Sequence, residues 1–227
     1  MIDVYIEEID GLWFGVAYVE EKIVATVLNS TRDNAFKQLL SSLPHETKHR
    51  IVEEKSDFVE KTLRMLTALH AGDEESKNFT LAAEYVSEPG AAVLKTAAAI
   101  PLGYVASYGD IAKVAGTGPR VVGRIMSTNP LYPIVPCHRV VGADFLLVGY
   151  GGRKSSNALQ AKLNRLSKEA RGFTGKKIVQ VNGRNLTVYP VEYVISKARE
   201  YHLDHPLQQR LPAEKGQQGS ARARSRV

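Results

Sequence analysis

The chain has 227 residues, enough for one large domain or two small ones with proper cores. Its apolar, charged and aromatic fractions are ordinary for a globular protein, and no stretch approaches the roughly 18 uninterrupted apolar residues of a membrane span. The net charge of +6 is unevenly placed: Arg210, Lys215, Arg222, Arg224 and Arg226 face Glu214 alone, so four of the six charges sit in the tail and composition makes nucleic-acid binding plausible without requiring it. One cysteine forms no internal disulfide, and "MIDVYIEEID" lacks the basic start and apolar middle of a secretory signal. An intracellular, cytoplasmic protein with no membrane attachment is expected.

The start reads as strands. "LWFGVAYVEE" and "KIVATVLNS" are rich in aromatic and β-branched residues around a short charged turn, which predicts a hairpin. "TRDNAFKQLLSSL" and "SDFVEKTLRMLTALHAG" have helical spacing; Phe58, Leu63, Leu66 and Leu69 form a stripe, Ser56 or Asp57 caps the start, and Gly72 ends it. The charged stretch "GDEESKNFTLAAEYVSEPG" marks a boundary, placing an N-terminal α/β domain at residues 1–75. Beyond it, Ser87, Glu88 and Pro89 open a helix that runs through Ala99 and stops before Pro101 and Gly103. "SYGDIAKVAG", capped by Ser107 and stopped by Gly116, leads into "TGPRVVGRIMSTN" with Pro119 in its first turn. Two short helices on a Gly-containing turn fit a helix-turn-helix, a pattern shared with many hairpins that touch no DNA. "SSNALQAKLNRLSKEA" is a capped helix with Leu159, Leu163 and Leu166 on one face. "KKIVQVNGRNLTVYPVEYVISKAREYH" reads as strand, Asn-Gly turn, strand and helix. The end, "AEKGQQGSARARSRV", has the composition of a disordered tail, its basic end suiting a weak phosphate-binding arm or simple solvation.

The lone thiol, Cys137, lies in "IVPCHRVV". A free thiol is only a few per cent ionised at neutral pH, and a nearby base or positive field activates it. His138 and Arg139 could supply both. Neighbours on an extended strand point to opposite faces, so the pair needs a turn or an intervening water, and Pro136 suits such an irregular backbone. An isolated Cys-His pair by itself favours the structural reading, a small buried side chain beside a histidine satisfied by a backbone carbonyl.

The wider context separates these readings. "SYGDIAKVAG…GPRVVGRIMSTNPLYPIVPCHRVV…GYGG" resembles the active-site domain of the O6-alkylguanine-DNA alkyltransferases, also called methylated-DNA–protein-cysteine methyltransferases. The Pro-Cys-His-Arg run is specific because the Tyr-Gly-x-Ile-Ala helix, the Pro-Arg-x-Val-Gly helix and the Asn-Pro turn precede it in family order. The resemblance covers roughly residues 76–172. It implies an α+β fold: a small N-terminal α/β domain, then a mainly helical, winged-helix-like DNA-binding and alkyl-transfer domain at 76–172. Residues 173–227 form an extension to which it assigns no role.

The resemblance implies an activity and its residues. Cys137 would take an alkyl group from O6 of guanine in double-stranded DNA, irreversibly and once per molecule, without cofactor or metal. His138 would act as base through a water, and Glu169, from "KLNRLSKE", would orient it as the third group of a triad. The target must leave the base stack, at a cost of a few kcal/mol. Arg120 would fill the gap it leaves, and Tyr108 would crowd the phosphate and rotate the nucleotide. Asn129 would pin the turn before the thiol, Met126 would wall the pocket, and Gly123 would let the second helix approach the DNA backbone in the minor groove. Tyr150 would donate to O6 with help from the Gly151 amide, and the carbonyls of Cys137 and Val140 would accept from the exocyclic amine. Lys113, Arg120, Arg124 and Arg139 supply the helix pair's positive charge. A monomer acting on O6-alkylguanine duplexes is expected.

Some positions depart from the pattern. Tyr132 precedes Pro133, where proline commonly comes one position earlier, and Arg165 replaces the first leucine of the Lys-x-x-Leu-Leu-x-x-Glu helix. "GADFLLVGYGG" lacks a usual glycine, "RKSSNALQA" is longer than the family loop, and "EPGAAV" replaces Phe-Gln. The cysteines of the family's occasional zinc site are absent, leaving His45, His49 and His70 as ordinary surface or core residues. Two other classes stay open: a non-catalytic binder of damaged DNA, whose relatives replace the cysteine, and a thiol hydrolase, which would leave the helix pair unexplained. A transcription-regulating relative would need a separate DNA-reading domain, and none is evident.

Overall fold

The computed structural model describes residues 1–73 and 78–204. The boundary expected at 75/76 and the basic tail both lie outside the described residues. The expected hairpin forms as β2 (Leu12–Val19) and β3 (Lys22–Asn29), antiparallel. A strand not singled out from sequence, β1 (Ile2–Ile9), pairs antiparallel with β2, and the short β4 (His49–Ile51) adds in parallel, giving the order β3-β2-β1-β4. The period of two decides what each face buries. Tyr5, Phe14 and Val16 face one core, and Val4, Ala17 and Val27 the other. Helix α1 (Arg32–Ser41) covers the second face with Ala35 and Leu39, and α2 (Asp57–Ala71) covers the first with Val59, Leu63 and Leu66. Ser56 is the cap of α2, accepting from the amide of Val59, and Gly72 ends it in the left-handed region at φ 90°.

The remaining described residues form five helices and a second four-stranded sheet. Ser87 caps α3 (Glu88–Ala98), and β5 (Tyr104–Ser107) leads directly into α4 (Tyr108–Ala115). Ser107 accepts from the amide of Asp110 and donates to its carboxylate, fixing this entry. Gly116, at φ 70°, stops α4, and α5 (Pro119–Ser127) starts three residues later with Pro119 in its first turn. The short β6 (Val140–Val141) lies parallel to β5. After α6 (Ser156–Lys168) come β7 (Lys177–Val181) and β8 (Arg184–Pro190), joined by Asn182 and Gly183, both with positive φ as a tight hairpin requires. Strand β8 pairs antiparallel with β5, so the order is β6-β5-β8-β7, and α7 (Val191–Asp204) packs on α6.

Part of the region after residue 172 is therefore built into this sheet. Arg184 donates to the carbonyl of Val114 at 2.8 Å, and Tyr189 and Tyr193 pack edge-on to Phe145. Phe145 stands in the left-handed region at φ 63°, in the turn where the usual glycine is missing. The helix that "EPGAAV" opens joins the two halves: Val93, Leu94 and Ala97 of α3 share one apolar cluster with Phe14, Leu66, Ile111 and Ile134. Strand β3 also grips the segment before the thiol, because the Thr26 amide donates to Pro130 O at 2.8 Å and its hydroxyl to Tyr132 O at 2.9 Å. Among the described residues no helix is long and apolar enough to cross a membrane, and no His, Cys, Asp and Glu cluster could hold a metal ion.

Candidate active site

Cys137 begins a single 3-10 turn, Cys137–Arg139, entered from Pro136 at φ −79°, ψ 73°. The turn does not bring the two side chains into direct contact: they border different spaces, so a proton passing between them needs an intervening water. Cys137 lines a cavity of about 450 Å³ together with Tyr108, Arg120, Gly123, Met126, Tyr150 and Gly151. His138 lines a second cleft of about 210 Å³ with Glu169, Arg139 and Arg165. Asn129 pins the approach: its amide donates to Val135 O at 2.9 Å and its oxygen accepts from the Leu131 amide at 3.0 Å. The Tyr132–Pro133 peptide within this approach is cis.

The imidazole of His138 is 4 % exposed, with Nε2 2.7 Å from Glu169 Oε1. Burial holds its pKa down at about 4, because an imidazolium there would be poorly solvated; the Arg139 and Arg165 cations oppose protonation too, and a carboxylate shared with Arg139 does not outweigh them. Burial would raise the Glu169 carboxyl, but hydrogen bonds from His138 and Arg139 prevail and hold it at about 2. At neutral pH the carboxylate is thus ionised and the imidazole neutral. Nε2–H must then donate to Glu169, leaving the lone pair on Nδ1, which is buried without a hydrogen-bond partner. Burial also pushes the Cys137 thiol up, while the Asn129 amide and the charges of Lys162 and Arg165 pull it back. The sulfur therefore rests mainly as a thiol, and the imidazole in the neighbouring cleft is neutral.

Most of the expected residues meet around the cavity. Tyr108 opens α4, exposed Arg120 sits in the first turn of α5, and Gly123 and Met126 follow one and two turns later on its inner side. A Cβ on Gly123 would meet only Tyr108, at 3.9 Å, so the α5 surface there is open. Arg153 and Lys154, from the lengthened loop, form the rim.

Two expectations need correction. Arg139 does not face the cavity: it is 4 % exposed, with Nε donating to Glu169 Oε2 at 2.8 Å, Nη2 to Oε1 at 3.0 Å and Nη1 to Ile100 O at 2.9 Å. Its charge is balanced internally and does not add to the outward field of the helix pair. Val140 is fully buried and does not line the cavity, and its carbonyl accepts from Lys162 Nζ at 2.5 Å. Lys162, the lysine of the Lys-x-x-Leu-Leu-x-x-Glu helix, also donates to Gly149 O at 3.0 Å; it is 1 % exposed, and burial lowers its pKa to about 8. Its signal was available in the sequence, because Leu159, Lys162 and Leu166 share one helical face and place a lysine on an apolar stripe.

Residues 89–171 match the family described as 6-O-methylguanine DNA methyltransferase, DNA binding domain. The chain is 58 % identical over 53 residues to a methylated-DNA–protein-cysteine methyltransferase of Pyrobaculum aerophilum, spanning 36 % of that protein. It is 33 % identical over 144 residues to the protein of that name from Thermococcus barophilus, covering 60 % of this chain and 71 % of that one. Among solved structures, an O6-methylguanine-DNA methyltransferase from Pyrococcus kodakaraensis superposes with a TM-score of 0.51 at 26 % identity, covering 74 % of this chain and 99 % of that one. The Mycobacterium tuberculosis protein OGT, solved in complex with DNA, shares the fold at 23 % identity and a TM-score of 0.50, covering 75 % of this chain and 96 % of that one. A half-buried thiol on a Pro-Cys-His-Arg turn, backed by a His-Glu pair, agrees with the relatives' names, and the chain belongs to the methylated-DNA–protein-cysteine methyltransferase family.

Proposed function

We propose that the protein repairs DNA by moving an alkyl group from O6 of guanine to Cys137, once per molecule. The observation that carries the proposal is the placement of the only cysteine on the wall of an open cavity whose other walls are Tyr108, Met126 and Tyr150. His138 Nδ1 takes the thiol proton through a water, and Glu169 holds the ring in the tautomer that leaves Nδ1 free to accept. Sulfur then attacks the alkyl carbon as the O6–carbon bond breaks. Tyr150 and the Gly151 amide donate to O6 as negative charge builds there, which improves guanine as a leaving group. The proton lost by sulfur is balanced by the one guanine gains.

Helices α4 and α5 serve as a helix-turn-helix, with α5 entering the minor groove, Arg120 filling the gap of the flipped nucleotide and Tyr108 turning it. Degenerate minor-groove readout suits a protein that must find damage in any sequence. The test is direct. After incubation with a duplex carrying O6-methylguanine, the intact protein should gain one methyl on Cys137, with no gain in Cys137→Ala. Tight binding with unchanged mass would favour a non-catalytic damage binder, and turnover of an ester would favour a hydrolase.

A further inference from the structure

Two departures from the family pattern, 33 positions apart in the chain, meet in space. The guanidinium carbon of Arg165 lies 5.0 Å from the centre of the Tyr132 ring, within cation–π range. Tyr132 is itself anchored, through its carbonyl, by the hydroxyl of Thr26 on β3. Arg165 lies one turn before Glu169 on the α6 face that meets the thiol turn, and it lines the second cleft beside His138 and Pro136. Unlike Arg139, it has no carboxylate partner among the described residues.

We propose that Arg165, held over the Tyr132 ring, is a positioning residue that supplies uncompensated positive charge to both ends of the alkyl transfer, the Cys137 sulfur and the Tyr150 hydroxyl. The inference rests on the reading of Cys137 as alkyl acceptor. As the sulfur–carbon bond forms and the O6–carbon bond breaks, the electron pair of the broken bond stays on O6. Negative charge thus travels from sulfur toward the oxygen that Tyr150 faces. A fixed cation near both stabilises the ionised sulfur before transfer and strengthens Tyr150 as a donor during it. The cations acting on Cys137 are Lys162 and Arg165 from α6; burial keeps the hydroxyls of Tyr108 from α4 and of Tyr132 and Tyr150 from the flanking loops protonated, and His138 with the Glu169–Arg139 pair lines the cleft on the other side of the turn. Lys162 acts on the sulfur as well, fixed beneath the carbonyls of Val140 and Gly149, and Arg165 is the second cation, on the side of the Tyr132 ring.

The first test needs no DNA. Cys137 is the only cysteine, so its alkylation by iodoacetamide as a function of pH reports one sulfur. Arg165→Leu should move the half-maximal pH up by roughly one unit, a tenfold loss of rate at neutral pH, with Arg165→Lys close to wild type. Tyr132→Leu should give part of the shift and Tyr132→Phe, which keeps the ring, none. With O6-methylguanine duplex, Arg165→Leu should bind as wild type yet transfer about tenfold more slowly. An unchanged profile in Arg165→Leu, or in Arg165→Gln should the leucine variant not fold, overturns the inference. If wild type accepts no alkyl group from DNA while the iodoacetamide profile still shifts, the function proposed above fails and the charge effect on the sulfur stands.

Discussion

Glu169→Gln tests the buried polar centre most severely. The carboxylate side chain is 14 % exposed and accepts from Nε2 of His138 and from two nitrogens of Arg139, all within 3.0 Å. Glutamine keeps the shape, removes the charge and turns one acceptor into a donor, so Arg139 loses the anion that balances it. Breaking a buried pair in this way costs about 3–5 kcal/mol, whereas an exposed pair such as Arg64 with Glu60 is worth about 1 kcal/mol at most. Urea unfolding at pH 7 should show the larger loss. Arg139→Met should lose a similar amount, and Arg139→Met/Glu169→Gln should fall short of additivity by at least about 2 kcal/mol, since no buried charge is then stranded.

The pH dependence follows from the same groups. His138 has a folded pKa near 4, below the ordinary 6.5, so the unfolded chain takes a proton that the folded protein refuses, and stability falls as pH drops from 6.5 toward 4. Glu169, depressed from 4.5 to about 2, contributes stability that is present above pH 4.5 and lost as pH falls toward 2. Wild type should weaken through both windows in turn, while Glu169→Gln should lose much less in the lower one. A cost below about 1 kcal/mol at pH 7, or strict additivity in the cycle, would refute the reasoning and mean that Glu169 and Arg139 behave as solvated charges.

Lys162→Met should cost about 2–4 kcal/mol in urea, because the buried carbonyls of Val140 and Gly149 both lose their donor, and should slow iodoacetamide modification of Cys137 by removing a nearby cation. Phe145→Gly should be less destabilising than Phe145→Ala by about 1 kcal/mol in the same assay, since both lose the contacts with Tyr189 and Tyr193 but only glycine accepts φ 63° without strain.

Local chemistry made many elements legible. Ser56, Ser87 and Ser107 cap the helices expected of them, Gly72 and Gly116 end theirs, and Asn182-Gly183 turns the late hairpin, because caps and turns depend on residues within a few positions of one another. Strand partners were not legible in the same way. β1 was not singled out, and the pairing of β5 with both β6 and β8 joins segments tens of residues apart whose partners depend on which apolar faces must be covered together.

The site divides along the same line. Its residue types and their order were legible, since Tyr108, Arg120, Met126, Cys137 and Tyr150 lie at helix starts, on one helix face or in short turns, and they do converge on one cavity. What a charge faces is a tertiary matter. Arg139 looks like a DNA contact in the sequence, yet it is turned inward onto Glu169, 30 residues away. The same holds for Lys162 beneath Val140 and for Arg165 over Tyr132. An ion's worth depends on the dielectric and the counter-charges around it, and only the packed chain assembles those.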